Sequence, residues 1–216
     1  MLRREDYEDA LDRFGRGEVD VLVGTQMIAK GLDFPRVTVV GIVSADSSLH
    51  LPDFRAAERT FQLLAQVAGR AGRGELPGRI VIQTVTPEHP AITCAAKHDY
   101  EAFAGPESRL RGELGYPPHG RLIRVVFDDE DLGRVHDCAA ACAKLLREKT
   151  GDAGLVVLGP AEAPISQVRG RHRQHLLAKG PNSSPAIATA RALLLEFAAA
   201  ELKTRVTIDV DPVSML

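Results

Sequence analysis

The chain has 216 residues, 44% hydrophobic and 26% charged, which provides enough apolar surface for packed cores, excludes whole-chain disorder, and suits two compact domains. Lys plus Arg is 27 against 29 Asp plus Glu, a formal charge of −2, so any nucleic-acid partner has to be held by local patches. No apolar run reaches the ~18 residues of a membrane-spanning helix, and the N-terminus continues into charge, so a cytoplasmic location without a membrane partner is expected.

Residues 1–16 read as a charged amphipathic helix with Tyr7, Ala10, Leu11 and Phe14 on one face, closed by Gly15 and Gly17. Short continuous apolar runs at 21–23, 37–43 and 80–85 read as strands of a parallel sheet covered on both faces. A helix is expected over 53–71, opened by Pro52 and Asp53 and stopped by Gly72 and Gly74. From Gly105 the pattern turns to Pro-Glu-Ser and then to Gly115-Tyr116-Pro117-Pro118, a turn-rich connector that puts a domain boundary between 104 and 105. Beyond it come a strand at 122–127, a helix at 132–149, two or three strands within 155–178, and a helix at 185–202. A last strand follows, with Val206, Ile208 and Val210 facing inward. That alternation leaves one face wet, so the second sheet is antiparallel or mixed. The expected fold is α/β in the first half and α+β in the second.

Cys94, Cys138 and Cys142 are odd in number and lack CxxC spacing, which argues against a disulfide framework and a four-cysteine zinc site. Val135, Cys138, Ala139, Cys142, Leu145 and Leu146 recur at helical spacing, so the two neighbouring cysteines are expected in a buried stripe and no metal site is expected.

Two stretches carry candidate chemistry. The first strand runs into GTQMIAKGLDFP, where Gly24 and Gly31 permit tight turns, Thr25 offers a hydroxyl beside free amides, and Asp33 adds a carboxylate. A phosphate fits such a turn, and so does a plain strand-to-helix turn with a charged rim. In the helix from Asp53, the residues Phe54, Ala57, Phe61, Leu64 and Ala68 share one side, while Gln66, Arg70 and Arg73 lie nearly opposite. Guanidinium forks match phosphate oxygens, and Gly69 and Gly72 clear space beside them; solvated arginines at a helix end give the same pattern.

GTQMIAKGLDFP followed by DFRAAERTFQLLAQVAGRAGRG resembles the fifth and sixth conserved motifs of superfamily 2 helicases, in the form found in the primosomal protein N' (PriA) family of replication-restart helicases. The resemblance extends through Thr84-Val85-Thr86-Pro87-Glu88-His89-Pro90, Leu158-Gly159-Pro160 and Asp209-Val210-Asp211-Pro212, covering essentially the whole chain. It implies that residues 1–104 are a second RecA-like helicase lobe, incomplete at its N-terminus, and 105–216 a small DNA-binding domain. It further implies that Arg70 and Arg73, supported by Gln66, reach the ATP γ-phosphate as catalytic residues. Gly31 and Asp33 would couple nucleotide to DNA, and Thr25 and Lys30 would contact the DNA backbone. The implied parent is an ATP-dependent 3'-to-5' DNA helicase that binds branched DNA and restarts stalled forks. Its implied partners are single-stranded and forked DNA, single-stranded DNA-binding protein and other primosome proteins.

The sequence also departs from that pattern. It contains no GxxxxGK(S/T) phosphate loop, so ATP and Mg would be held mainly by a first lobe outside these residues, and the chain alone is expected to be inactive. The cysteines of the family's zinc segment are absent too. Asp128-Asp129-Glu130-Asp131 imitates a magnesium-binding strand end but follows the arginine motif and precedes a helix that acids favour anyway. A competing expectation is a non-hydrolysing DNA- and protein-binding platform of the primosome.

Charge in the second half is uneven. Residues 163–195 hold Arg169, Arg171, Arg173, Lys179 and Arg191 and no acid. The alternating Arg169, Arg171 and Arg173 are expected to point one way from an extended hairpin at roughly 6.5 Å spacing, as DNA-backbone contacts or as solvated hairpin charge. Phe127 is the one aromatic residue between Tyr116 and Phe197, so base stacking should add little there.

Overall fold

The expected amphipathic spacing at the N-terminus produces α1 (Arg4–Arg16), whose Phe14 packs edge-on against Phe34 with ring centroids 4.9 Å apart. In this computed structural model, residues 4–25, 34–69, 78–151 and 154–215 are described, and the chain divides into two units. The first comprises Met1–His50 and Ala57–Phe103, the second Leu51–Ala56 and Ala104–Leu216.

In the first unit, β1 (Val39–Ile42) pairs in parallel with β2 (Arg79–Ile82), in the register Val39↔Arg79 through Ile42↔Ile82. The short α2 (Asp46–Leu49), α3 (Ala56–Ala68) and α4 (Pro90–Ala96) accompany them. Pro90 at the first helical position and the His89 side chain, which accepts from Ala91 N at 3.1 Å, start α4. Phe61, Leu64, Ala91, Ile92 and Phe103 form the core, with Ile42 and Ile82 packed against it. Phe61 and Phe103 stack with centroids 4.5 Å apart. At the strand ends, Asp46 Oδ1 accepts from the hydroxyls of Thr84 (2.8 Å) and Thr86 (2.7 Å), and Oδ2 accepts from Val85 N (3.0 Å).

Three expectations fail in this part of the chain. Residues 21–23 form no strand: Val21 is 74% and Val23 88% exposed. An apolar run becomes a strand only by pairing, and among the described residues the sheet is β1 and β2 alone. Nor is that sheet covered twice, because its other side leaves Val39 and Val81 exposed while Ile42 and Ile82 meet the core. The expected helix from Asp53 also begins later, at Ala56: the Asp53 carbonyl accepts from Ala56 N at 2.9 Å and its carboxylate from Arg55 N at 2.9 Å, a local turn ahead of the helix.

Of the connector expected from Gly105, residues 105–114 are instead helical, within α5 (Tyr100–Leu114), which runs through Pro106, while Gly115-Tyr116-Pro117-Pro118 turns as expected. One proline removes one intrahelical bond, and the residues after it restore the helix through the Glu107–Arg111 pair at 2.8 Å, one turn apart and nearly buried. The helix closes at Gly115, at φ 66°, where Tyr116 N donates to Arg111 O at 2.8 Å.

The second unit carries a four-stranded antiparallel sheet in the order β4 (Val156–Val168), β5 (Arg171–Pro181), β3 (Gly120–Asp129), β6 (Arg205–Val210). Helices α6 (Leu132–Thr150) and α7 (Pro185–Ala200) cover one face. Asp131 caps α6 by accepting from Gly133 N (2.8 Å) and Arg134 N (3.2 Å), and Ser184 caps α7 by accepting from Ala186 N (3.2 Å). The core joins Ile123, Val125, Phe127, Leu176 and Ala178 of the sheet to Val135, Ala139, Leu146 and Leu194 of the helices, and Val206, Ile208 and Val210 point into it as the alternation requires.

Candidate nucleotide and nucleic-acid interface

Helix α3 separates two chemistries by its own periodicity. Phe61, Leu64 and Ala68 are buried, and Gln66, nearly opposite them, is exposed in the last turn. Arg70 and Arg73, which follow it, lie outside the described residues, as do Lys30, Gly31 and Asp33. Thr25 is described and exposed, beyond the end of the unpaired 21–23 run.

The residues just ahead of that helix, Leu51–Ala56, belong to the second unit. Asp53 is buried and its Oδ2 accepts from Met215 N at 3.0 Å. Phe54 stacks on Tyr116 with centroids 5.1 Å apart and planes 5° from parallel, and the guanidiniums of Arg55 and Arg111 lie over its ring.

The hairpin arginines do not act as one row. Arg169 occupies the turn between β4 and β5 at φ 52°, outside the ladder, so the alternation that was to align three arginines reaches only Arg171 and Arg173. Arg171 is engaged: its Nε donates to Asp128 Oδ1, its Nη2 donates to the Asp128 carbonyl at 2.9 Å, and Glu130 lies 3.8 Å from Nη1. The hydrogen bond that it donates to the Asp128 carboxylate raises its already high pKa further. Arg173 makes one long bond, to Ile165 O at 3.5 Å, and Arg169 is exposed.

The acids after β3 are likewise occupied. Asp128 meets Arg171, Asp131 caps α6, and Asp129 accepts from Asp131 N at 2.9 Å and Arg134 Nη2 at 2.8 Å. The backbone bond first, then Arg134, hold Asp129 below the usual carboxylate range. Cys138 and Cys142 sit in the core of the second unit; burial pushes their thiols to about 11 and about 12, with the Glu201 carboxylate adding to the shift at Cys138. Such thiols do not fit a zinc ligand set, and among the described residues no group of three or more His, Cys, Asp and Glu could hold a metal.

One cationic neighbour escaped the sequence reading: Arg205, which the sheet sets across Asp128 from the expected Arg173. Residues paired across the ladder share a face, and the face opposite α6 and α7 carries Arg124, Asp128, Arg173, His175, Arg205 and Asp209. The signal was present: if Val206, Ile208 and Val210 point inward, Arg205 points outward.

The profile of the helicase conserved C-terminal domain matches residues 2–75, and that of the primosomal protein N C-terminal domain matches residues 112–213. Proteins named replication restart protein PriA align along most of the chain. The one from Bacillus subtilis (strain 168) is 42% identical over 217 residues, covering 99% of this chain and 27% of that protein. The one from Treponema pallidum (strain Nichols) is 45% identical over 215 residues, covering 100% and 32%.

The chain belongs to the PriA family.

A third PriA protein, from Haemophilus influenzae, is 39% identical over 216 residues, covering 97% of this chain and 29% of its own length. The chain thus spans about three-tenths of the length of these PriA relatives. The first matched profile, that of a RecA-like helicase domain, covers α1, β1, α2 and α3 and ends before β2, and the second covers the antiparallel sheet with α6 and α7. The family therefore accounts for both halves of the mixed α/β architecture.

Proposed function

We propose that this chain supplies the second RecA-like lobe, residues 1–104, and the DNA-contacting C-terminal domain, residues 105–216, of an ATP-dependent 3'-to-5' DNA helicase that binds branched DNA and restarts stalled replication forks. The observation that carries this reading is α3: its buried side anchors the lobe, Gln66 in its last turn is exposed, and in the sequence Gly69-Arg70-Ala71-Gly72-Arg73 follows directly. ATP with its magnesium ion, when bound, supplies the phosphoryl chemistry. Arg70 and Arg73 answer the charge at the γ-phosphate, Gln66 supports them, Gly31 and Asp33 pass closure to the DNA grip, and Thr25 and Lys30 hold the backbone. Single-stranded DNA-binding protein and other primosome proteins are the proposed protein partners.

In the full-length parent, Arg73→Ala is expected to abolish DNA-stimulated ATP hydrolysis while DNA binding changes little. An arginine acting at a transferring phosphoryl group is worth ~10³ to 10⁵ in rate. Undiminished turnover in the variant sinks the reading. A second reading is a non-hydrolysing DNA and protein platform of the primosome, and a parent with no DNA-stimulated ATPase at all would select it.

A further inference from the structure

We propose that Arg173 and Arg205, with His175 behind them, form a binding site for the phosphodiester backbone of a single nucleic-acid strand, laid across the Asp128 end of β5, β3 and β6 on the sheet face turned away from α6 and α7, beside the stretch of that face where Arg124 and Val126 are buried. This deepens the DNA-contact reading of the second domain and rests on it.

The ladder places the groups. Arg173 on β5 and Arg205 on β6 both stand opposite Asp128 of β3, one on each side. Strand spacing puts their Cα atoms roughly 9.6 Å apart, a gap that two long side chains close onto neighbouring phosphates of an extended strand. His175 occupies the next row, opposite Val126, which in turn faces Thr207.

Charge on this face is left over. Asp128 stands between the two arginines, but its carboxylate oxygen and its carbonyl both accept from Arg171. Arg173 has only its long bond to a carbonyl, Arg205 is exposed, and neither lies within ion-pair reach of a carboxylate among the described residues. His175 Nδ1 is buried without a hydrogen-bond partner, a polar atom whose desolvation nothing described here offsets. Burial first, then Arg124 and Arg173, hold its imidazole below the usual range, and burial followed by Arg173 lowers Arg124 as well. Cations that depress one another mark a positive potential, only partly offset at Arg124 by Asp209 and Asp53, which an anion relieves.

Because β3, β5 and β6 place no Phe, Tyr or Trp side chain on this face, recognition is of backbone charge and indifferent to base sequence. An acidic peptide shares the charge sign but lacks the regular phosphate repeat that two arginines on either side of one strand match.

The test uses the 216-residue chain and a fluorescein-labelled oligothymidylate, followed by anisotropy across a salt series. Each phosphate contact on a single strand contributes about 0.7 to the slope of log affinity against log salt, so R173Q/R205Q should flatten the slope by about 1.4. In the wild type, the His175 ring resonances should shift when the oligonucleotide is added. An unchanged slope in a double variant that melts like wild type overturns this site and leaves the DNA-contact reading standing. If the wild type fails to bind the oligonucleotide even at low salt, that reading falls and the site with it. Should R173Q/R205Q unfold, R205Q alone, at the exposed start of β6, carries the measurement, with a decrease of about 0.7 expected and no decrease refuting the site. A polyglutamate peptide that binds as well as the oligonucleotide and is lost with the same variant overturns the nucleic-acid assignment.

Discussion

Cysteine ionisation offers a quantitative test of the core of the second unit. Cys138 and Cys142 are buried among Val135, Ala139, Leu146 and Leu194, and their thiols are pushed up to about 11 and about 12. Alkylation by iodoacetamide proceeds through the thiolate. At pH 8 an ordinary cysteine of pKa ~8.5 is about one-quarter ionised, whereas groups at these raised values are ionised to roughly one part in 10³ and one part in 10⁴. Ionisation alone therefore slows Cys138 by about 200-fold and Cys142 by about 2,000-fold against an unperturbed thiol, before occlusion by the packed helix is added. The assay is timed iodoacetamide labelling of the native chain with peptide mass spectrometry, the half-buried Cys94 serving as the reporter outside this core. After unfolding in guanidinium, all three should label alike. Native labelling of Cys142 at the pace of Cys94, or protection of Cys138 and Cys142 by added zinc, refutes the packed-core assignment.

Other outcomes follow from single residues. The Thr86 hydroxyl first, then Val85 N and the Thr84 hydroxyl, hold Asp46 at about 2, below the usual carboxylate value, so its contribution to stability is present above about pH 4 and fades as pH falls toward 2. The difference in urea midpoint between wild type and Asp46→Asn should therefore shrink over that window, and a difference independent of pH refutes the assignment. Asp211 ends β6 at φ 51°, accepts from Leu122 N at 3.0 Å and pairs with Arg121 at 2.6 Å. Asp211→Ala leaves that amide without its acceptor and puts alanine in the left-handed region, so chemical denaturation should show a loss of about 1–3 kcal/mol, and Asp211→Asn should retain more stability than Asp211→Ala.

Elements with strong periodicity were readable in advance because one residue's burial predicts its neighbours'. The α6 stripe and the inward valines and isoleucine of β6 are where their spacing put them. Residues 21–23 misled because an apolar run records a preference for burial, while the strand itself depends on a partner elsewhere in the chain. Pro106 misled in the opposite sense, a local breaker outweighed by the surrounding helix and its Glu107–Arg111 pair. For the candidate site, the division of α3 into buried and exposed sides was legible down to Gln66. The fate of Arg171 was not, since its spacing says nothing of an aspartate 43 positions earlier that the sheet brings alongside.

The second compact unit claims six residues from well before its main stretch, Leu51–Ala56. An excision at 104/105, where the sequence suggests the cut, discards Asp53 and Phe54 and strips Met215 N of its acceptor and Tyr116 of its stacked ring. A recombinant piece made that way starts life with a buried amide and an aromatic face newly wetted, and it should melt earlier and clump more readily than the same domain expressed with its outlying hexapeptide.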